Sequence, residues 1–126
     1  QPRIQTQKKQ STKRNTFTNN PLVWGPDLWN ILHTVSVMYP ESPTEKYRKQ
    51  MQSAILTLPV LIPCASCQEH SSVYINETYR TGVLENATKS KSRLFDYFVD
   101  FHNHVNKKLG KPEMSKEDAV KNYFIL

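Results

Sequence analysis

Residues 91–112 read KSRLFDYFVDFHNHVNKKLGKP, and their periodicity decides the fold. Leu94, Phe98, Phe101, Val105 and Leu109 recur at three- and four-residue steps, the spacing that gathers side chains on one helix face. Gly110 and Pro112 close the run: glycine accepts a left-handed cap without strain, and proline cannot continue a helix. The same stretch carries an uncommon polar set. His102, Asn103 and Asn106 fall within one turn, Val105 and Leu109 supply an apolar face, and Lys108 and Lys111 follow at the C-terminal end. Imidazole and carboxamides offer donors and acceptors to the edge of a planar heteroaromatic ring, and the lysines suit a phosphate. Taken alone, the stretch also reads as a surface helix with a satisfied histidine and a solvated basic end.

Working outward, the rest of the chain is helical too. Pro26 suits a first helical position, and Leu28, Leu32, Val35 and Tyr39 follow at helical spacing until Pro40 stops them. Ser42-Pro43-Thr44-Glu45 reads as a capping box for a second helix carrying Tyr47, Met51, Ile55 and Leu58, which Pro59 should kink or end. A third helix is expected from about Cys64 to Tyr79, a loop over 83–90, and a short fifth helix from Ser115 toward Phe124. No strand-like alternation and no repeat is evident. The expected class is all-α, a four-helix bundle with a short fifth helix.

At 126 residues the chain fits one domain with a tail. Residues 1–20 hold Arg3, Lys8, Lys9, Lys13 and Arg14 and no acid, which accounts for nearly all of the net charge of +6. We expect a basic, flexible tail over 1–20 and a domain over 21–126. The tail suits nucleic acid or another acidic surface, or serves as a solvated linker. No apolar run approaches the ~20 residues of a membrane helix, and no signal peptide is expected within the chain. Only three glycines occur, and neither a dinucleotide-binding turn nor a P-loop can be written from them.

The strongest chemical signal is Pro63-Cys64-Ala65-Ser66-Cys67. Cysteines three apart at a helix start can form a disulfide, and the helix N-terminus favours their thiolates. Redox catalysis, a zinc site completed by two histidines, and an inert pair all remain open on this motif alone. His70 lies three residues beyond Cys67 and could tune the thiolates or simply pack, and the role of His104 is equally open. Trp24-Gly25-Pro26-Asp27-Leu28-Trp29-Asn30-Ile31-Leu32-His33 places Trp29 and His33 on one helix face, as core packing or as a site wall.

In that order, WGPDLWNILH, PCASC and HNHVNKKLGKP resemble the Erv/ALR family of FAD-dependent sulfhydryl oxidases, over about Trp24 to Tyr123 and most closely its viral members. The resemblance implies a four-helix bundle with FAD at its mouth, a homodimer, dithiol proteins or a shuttle protein as substrate, and O2 as acceptor. It implies Cys64 and Cys67 as the catalytic pair. It assigns Trp24, Gly25, Trp29, His33 and Tyr39 to the FAD wall, and His102, Asn103, Val105 and Asn106 to the flavin or adenosine. It assigns Lys108 and Lys111 to the diphosphate and Tyr123 to a position where many members carry tryptophan. Members work in mitochondria, the secretory pathway, and the cytosol of virus-infected cells. Two departures stand out: Val99 and Lys116 occupy positions where many members have a structural disulfide, and the tail has no shuttle cysteine. The competing reading is a non-enzymatic helical adaptor of the same fold, its cysteines binding zinc or inert.

Overall fold

The computed structural model describes residues 17–123, which form six α-helices and one 3-10 turn, with no strand among them. Most of the basic tail therefore lies outside the described residues, as does Phe124. The helices are α1 (Pro21–Met38), α2 (Glu45–Thr57), α3 (Ala65–Arg80), α4 (Val83–Ala87), α5 (Lys91–Leu109) and α6 (Lys116–Tyr123), with the 3-10 turn at Leu58–Leu61.

Helix α1 begins five residues before the expected start. The Asn20 side chain accepts from the Leu22 N–H at 3.0 Å, and Pro21 takes the first helical position. Pro26 instead lies in the second turn, where its missing N–H deprives only the Leu22 carbonyl of a helical partner. Helix α2 is capped by Thr44, whose hydroxyl accepts from the Tyr47 N–H at 3.1 Å, and not by Ser42; Pro43 thus precedes the helix. Pro59 acts as expected: α2 stops at Thr57 and the chain tightens into the 3-10 turn.

The expected loop over 83–90 is partly helix. Gly82 turns the chain with φ 83°, and the single turn α4 follows. Burial holds it there, because Leu84 and Ala87 both point into the core. Helix α5 is capped at its start by Ser90, whose Oγ accepts from the Arg93 N–H, and at its end by Gly110 with φ 72°.

Two faces of α5 are covered. Leu94, Tyr97, Phe98 and Phe101 join Leu32, Tyr39, Ile55, Leu58, Ile75 and Leu84 in the main core. Burying each large apolar side chain contributes about 1.5–3 kcal/mol. On the other face Phe95 and Val99 meet Ala119 of α6, with Val37, Met114 and Tyr123 packed around them. Lys116 adds ion pairs to Asp100 at 3.6 Å and Asp96 at 3.9 Å. Apolar packing and charge therefore tie α6 to α5 at Val99 and Lys116, the two positions that by resemblance hold a structural disulfide in many family members.

Candidate functional site

Cys64 is the N-cap of α3, and its Sγ accepts from the Cys67 N–H at 3.3 Å. That geometry follows from the sequence: the 3-10 turn stops before extended Ile62, Pro63 and the extended backbone of Cys64 lead into α3, and a free N–H of the helix's first turn, that of Cys67, meets the sulfur. The two cysteines are joined in a disulfide with their Cα atoms 5.2 Å apart. Both are half-buried, but they face different surroundings. Cys67 borders a cavity of about 240 Å³, whereas Cys64 does not line it and is flanked by exposed Pro63, Ala65 and Ser66.

Three helices wall the cavity. From α1 come Trp24, Gly25 and Trp29; from α3, Cys67, His70 and Ser71; from α5, Phe101, His102, Val105 and Asn106, with Lys108 and Lys111 at the rim. Tyr123 of α6 completes it, its hydroxyl donating to Asn30 Oδ1 at 3.3 Å. The wall is largely flat and aromatic. Trp29 stacks on His102 with ring centroids 4.1 Å apart and planes 10° from parallel, and meets the edge of Phe101. Tyr74 lies parallel to Phe101 and also touches His104. The Trp24 indole N–H is held by the Asn19 carbonyl at 3.0 Å.

Of the residues that the resemblance assigned to the site, ten border the cavity: Cys67, Trp24, Gly25, Trp29, His102, Val105, Asn106, Lys108, Lys111 and Tyr123; His70 and His104, whose roles were left open, border it too. Four do not. Cys64 stands on the outer side of the disulfide. His33 is fully buried behind the wall, its Nε2 3.1 Å from His102 Nδ1. Asn103 turns away, donating to the Met114 carbonyl at 2.6 Å and accepting from the Met114 N–H at 2.7 Å. Tyr39 sits in the main core, donating to the Thr88 carbonyl at 2.7 Å.

Electrostatics sort the polar groups. Burial lowers His33 to about 4. His102 is also lowered to about 4, by burial first and then by His33 and Lys111. Both imidazoles are therefore neutral near pH 7. His104 is lowered as well, by burial and by nearby Lys108, His70 and Lys107. Among the described residues no group of three or more His, Cys, Asp and Glu is placed to hold a metal ion.

Sequence reasoning missed Ser71 and Phe101 as part of the cavity wall. A signal existed for Ser71: Cys67 and Ser71 are spaced i, i+4, on one face of α3.

A family model described as the Erv1 / Alr family matches residues 26–124. A protein of Invertebrate iridescent virus 3 is 36% identical over 104 residues, covering 82% of this chain and 68% of its own length. A FAD-linked sulfhydryl oxidase of African swine fever virus is 30% identical over 95 residues, covering 75% of this chain and 74% of its own. The crystal structure of the yeast Erv1 core superposes with a TM-score of 0.75 at 26% identity, covering 86% of each chain.

Proposed function

The chain belongs to the Erv1/Alr family, and from that premise we propose how its residues divide the work of an FAD-linked sulfhydryl oxidase. The enzyme oxidises dithiols to disulfides, with O2 as final acceptor. The observation that carries our reading of the site is the asymmetry of the disulfide: Cys67 borders the cavity, and Cys64 faces outward among exposed neighbours.

A substrate thiolate attacks Cys64 Sγ. A bond forms between the substrate sulfur and Cys64, the Cys64–Cys67 bond breaks, and Cys67 is left as a thiolate beside the cavity. The second substrate thiol loses its proton and attacks the substrate sulfur of that mixed disulfide. The substrate leaves oxidised, and Cys64 departs as a thiolate stabilised by the N–H groups at the start of α3. Two electrons then rest on the cysteine pair. FAD, when bound, accepts such a pair and passes it to O2, which is released as hydrogen peroxide.

The donor set fits this cofactor. The stacked Trp29–His102 wall suits a planar ring, the Asn106 carboxamide makes no hydrogen bond among the described residues, and two lysines, Lys108 and Lys111, line the same cavity. In this reading Trp24, Gly25, Trp29, His102, Val105, Asn106 and Tyr123 hold the ring systems, and Lys108 and Lys111 hold the diphosphate. His33 acts from behind the wall, whereas Asn103 and Tyr39 support the fold through Met114 and Thr88. A homodimer belongs to the same reading: Ile31, Val35 and Met38 leave an exposed apolar stripe on α1 for a second copy, which light scattering on the eluted protein tests. The tail's charge supports an added contact with an acidic surface, tested by the salt dependence of binding with and without residues 1–20.

The decisive experiment is the visible spectrum of the purified protein under air, before and after dithiothreitol, with peroxide followed in parallel. A flavin band and dithiol-driven peroxide are expected. Cys67→Ala should abolish turnover and retain FAD; a folded Cys67→Ala protein without flavin would overturn the assigned roles.

A further inference from the structure

His33 and His102 face each other across a 3.1 Å contact between His33 Nε2 and His102 Nδ1. His33 is fully buried among Phe95, Tyr123 and Trp29, and its Nδ1 has no hydrogen-bond partner. His102 lies parallel to Trp29 on the cavity wall. With both rings neutral, one hydrogen is shared between the facing nitrogens, and two arrangements are possible. If His102 Nδ1 carries it, His33 must carry its own hydrogen on Nδ1, a buried N–H with no acceptor. If His33 Nε2 carries it, Nδ1 of His33 is only a bare lone pair, and His102 carries its hydrogen on Nε2. Orphaned buried N–H groups are rarer than under-satisfied acceptors, so the second arrangement is the stable one.

We propose that His33 is a positioning residue that fixes the tautomer of His102, so that the cavity wall presents an Nε2–H donor to the bound ring. The tautomer assignment stands on the protein alone; the identity of the ring rests on the function proposed above. The His102 nitrogen not taken by His33 is Nε2, on a ring that borders the cavity. A donor there favours a ligand edge carrying acceptors and disfavours one carrying donors. His33 touches no ligand in this scheme and acts only through its neighbour.

The test is a long-range proton–nitrogen correlation spectrum of the cofactor-free protein with labelled histidine, on the wild type, His33→Leu and His33→Gln. In the wild type both His33 and His102 are expected as Nε2–H tautomers. His33→Leu removes the fixed donor, and His102 should become a mixture. His33→Gln offers an amide N–H in its place and should restore the single tautomer. Circular dichroism checks that each variant is folded. Titration with FAD gives a second readout: His33→Leu should bind about three- to tenfold more weakly, the loss of one oriented hydrogen bond, and His33→Gln should recover most of that. A wild-type His102 with its hydrogen on Nδ1 overturns the proposal. So does a His102 tautomer that is unchanged in His33→Leu, or one that His33→Gln fails to restore. If the wild type binds no FAD, the proposed function fails while the nitrogen spectra still decide this point.

Discussion

Replacing Asn103 by alanine should cost stability first and cofactor binding second. Its carboxamide makes two short hydrogen bonds to one residue, donating to the Met114 carbonyl at 2.6 Å and accepting from the Met114 N–H at 2.7 Å. These bonds anchor the segment between α5 and α6, where Met114 also packs against the cluster of Phe95, Val99 and Ala119. Each such bond contributes about 0.5–1.5 kcal/mol net, so Asn103→Ala should lose about 1–3 kcal/mol. For a domain near 100 residues, 1 kcal/mol moves Tm by roughly 4–8 °C, so a fall of about 10 °C is expected. Asn103→Asp separates the two bonds. The introduced carboxylate can still accept from the Met114 N–H, but it faces the Met114 carbonyl without a hydrogen to donate. Its folded-state pKa is therefore raised above the unfolded one. The variant should be less destabilised below the unfolded carboxyl pKa and lose that advantage as pH rises through the folded value. Thermal melts at pH 4 and pH 7 on wild type and both variants, alongside FAD titration, make the comparison. An Asn103→Ala protein with unchanged Tm and FAD affinity reduced tenfold would mean that Asn103 meets the cofactor directly, and the reasoning would be refuted.

Three further outcomes follow from buried groups. Thr78 Oγ donates to the Ile75 carbonyl at 2.7 Å and so accepts from the Tyr97 hydroxyl at 2.8 Å, a phenol that burial pushes up to about 12. In chemical denaturation Thr78→Val, which orphans that hydroxyl, should therefore cost more (about 2 kcal/mol) than Tyr97→Phe (about 1 kcal/mol), and a double mutant well below their sum should confirm the coupling. Because His33 is held near 4 when folded and takes its proton near 6.5 when unfolded, it should contribute nothing above pH 6.5 and up to ~3 kcal/mol of the stability lost towards pH 4, beside the share of His102; pH-dependent melts in which His33→Gln shows the same acid loss as wild type would refute this source. Val99→Ala should destabilise by about 2–3 kcal/mol and Lys116→Ala by under about 1 kcal/mol, since the lysine pairs are half-exposed; urea melts giving the reverse order would assign the hold on α6 to charge.

The helices were legible because each carries an apolar stripe of the right period, and α5 most of all. The errors lie where two local signals compete. Pro26 and Pro21 both look like helix starts, and Asn20 decides between them by supplying a side-chain cap that Gly25 lacks. Thr44 outcompetes Ser42 because its hydroxyl meets the Tyr47 N–H. Helix α4 was invisible to periodicity, since five residues are less than two turns; only the burial of Leu84 and Ala87 in a finished core fixes it.

At the site, residue type was readable and direction was not. Trp29 and Tyr39 both fall on α1 or its end, but ten residues of helix separate them by about 15 Å, so one ring meets the cavity and the other the core. Asn103 and Asn106 are the same residue type one turn apart, and only the position of Met114 turns Asn103 away from the cavity. The structural disulfide that many family members carry between the segments matching α5 and α6, absent from this sequence, is another such case. Its two positions do not simply go empty: Val99 packs against Ala119, and Lys116 sits between Asp96 and Asp100, one turn apart on α5. Placing α6 matters beyond stability, because Tyr123 at its end forms part of the cavity wall and covers His33. The packing that replaces a covalent link on one side of α5 thus also keeps water from the buried histidine that orients the other side, and the cavity wall depends on both.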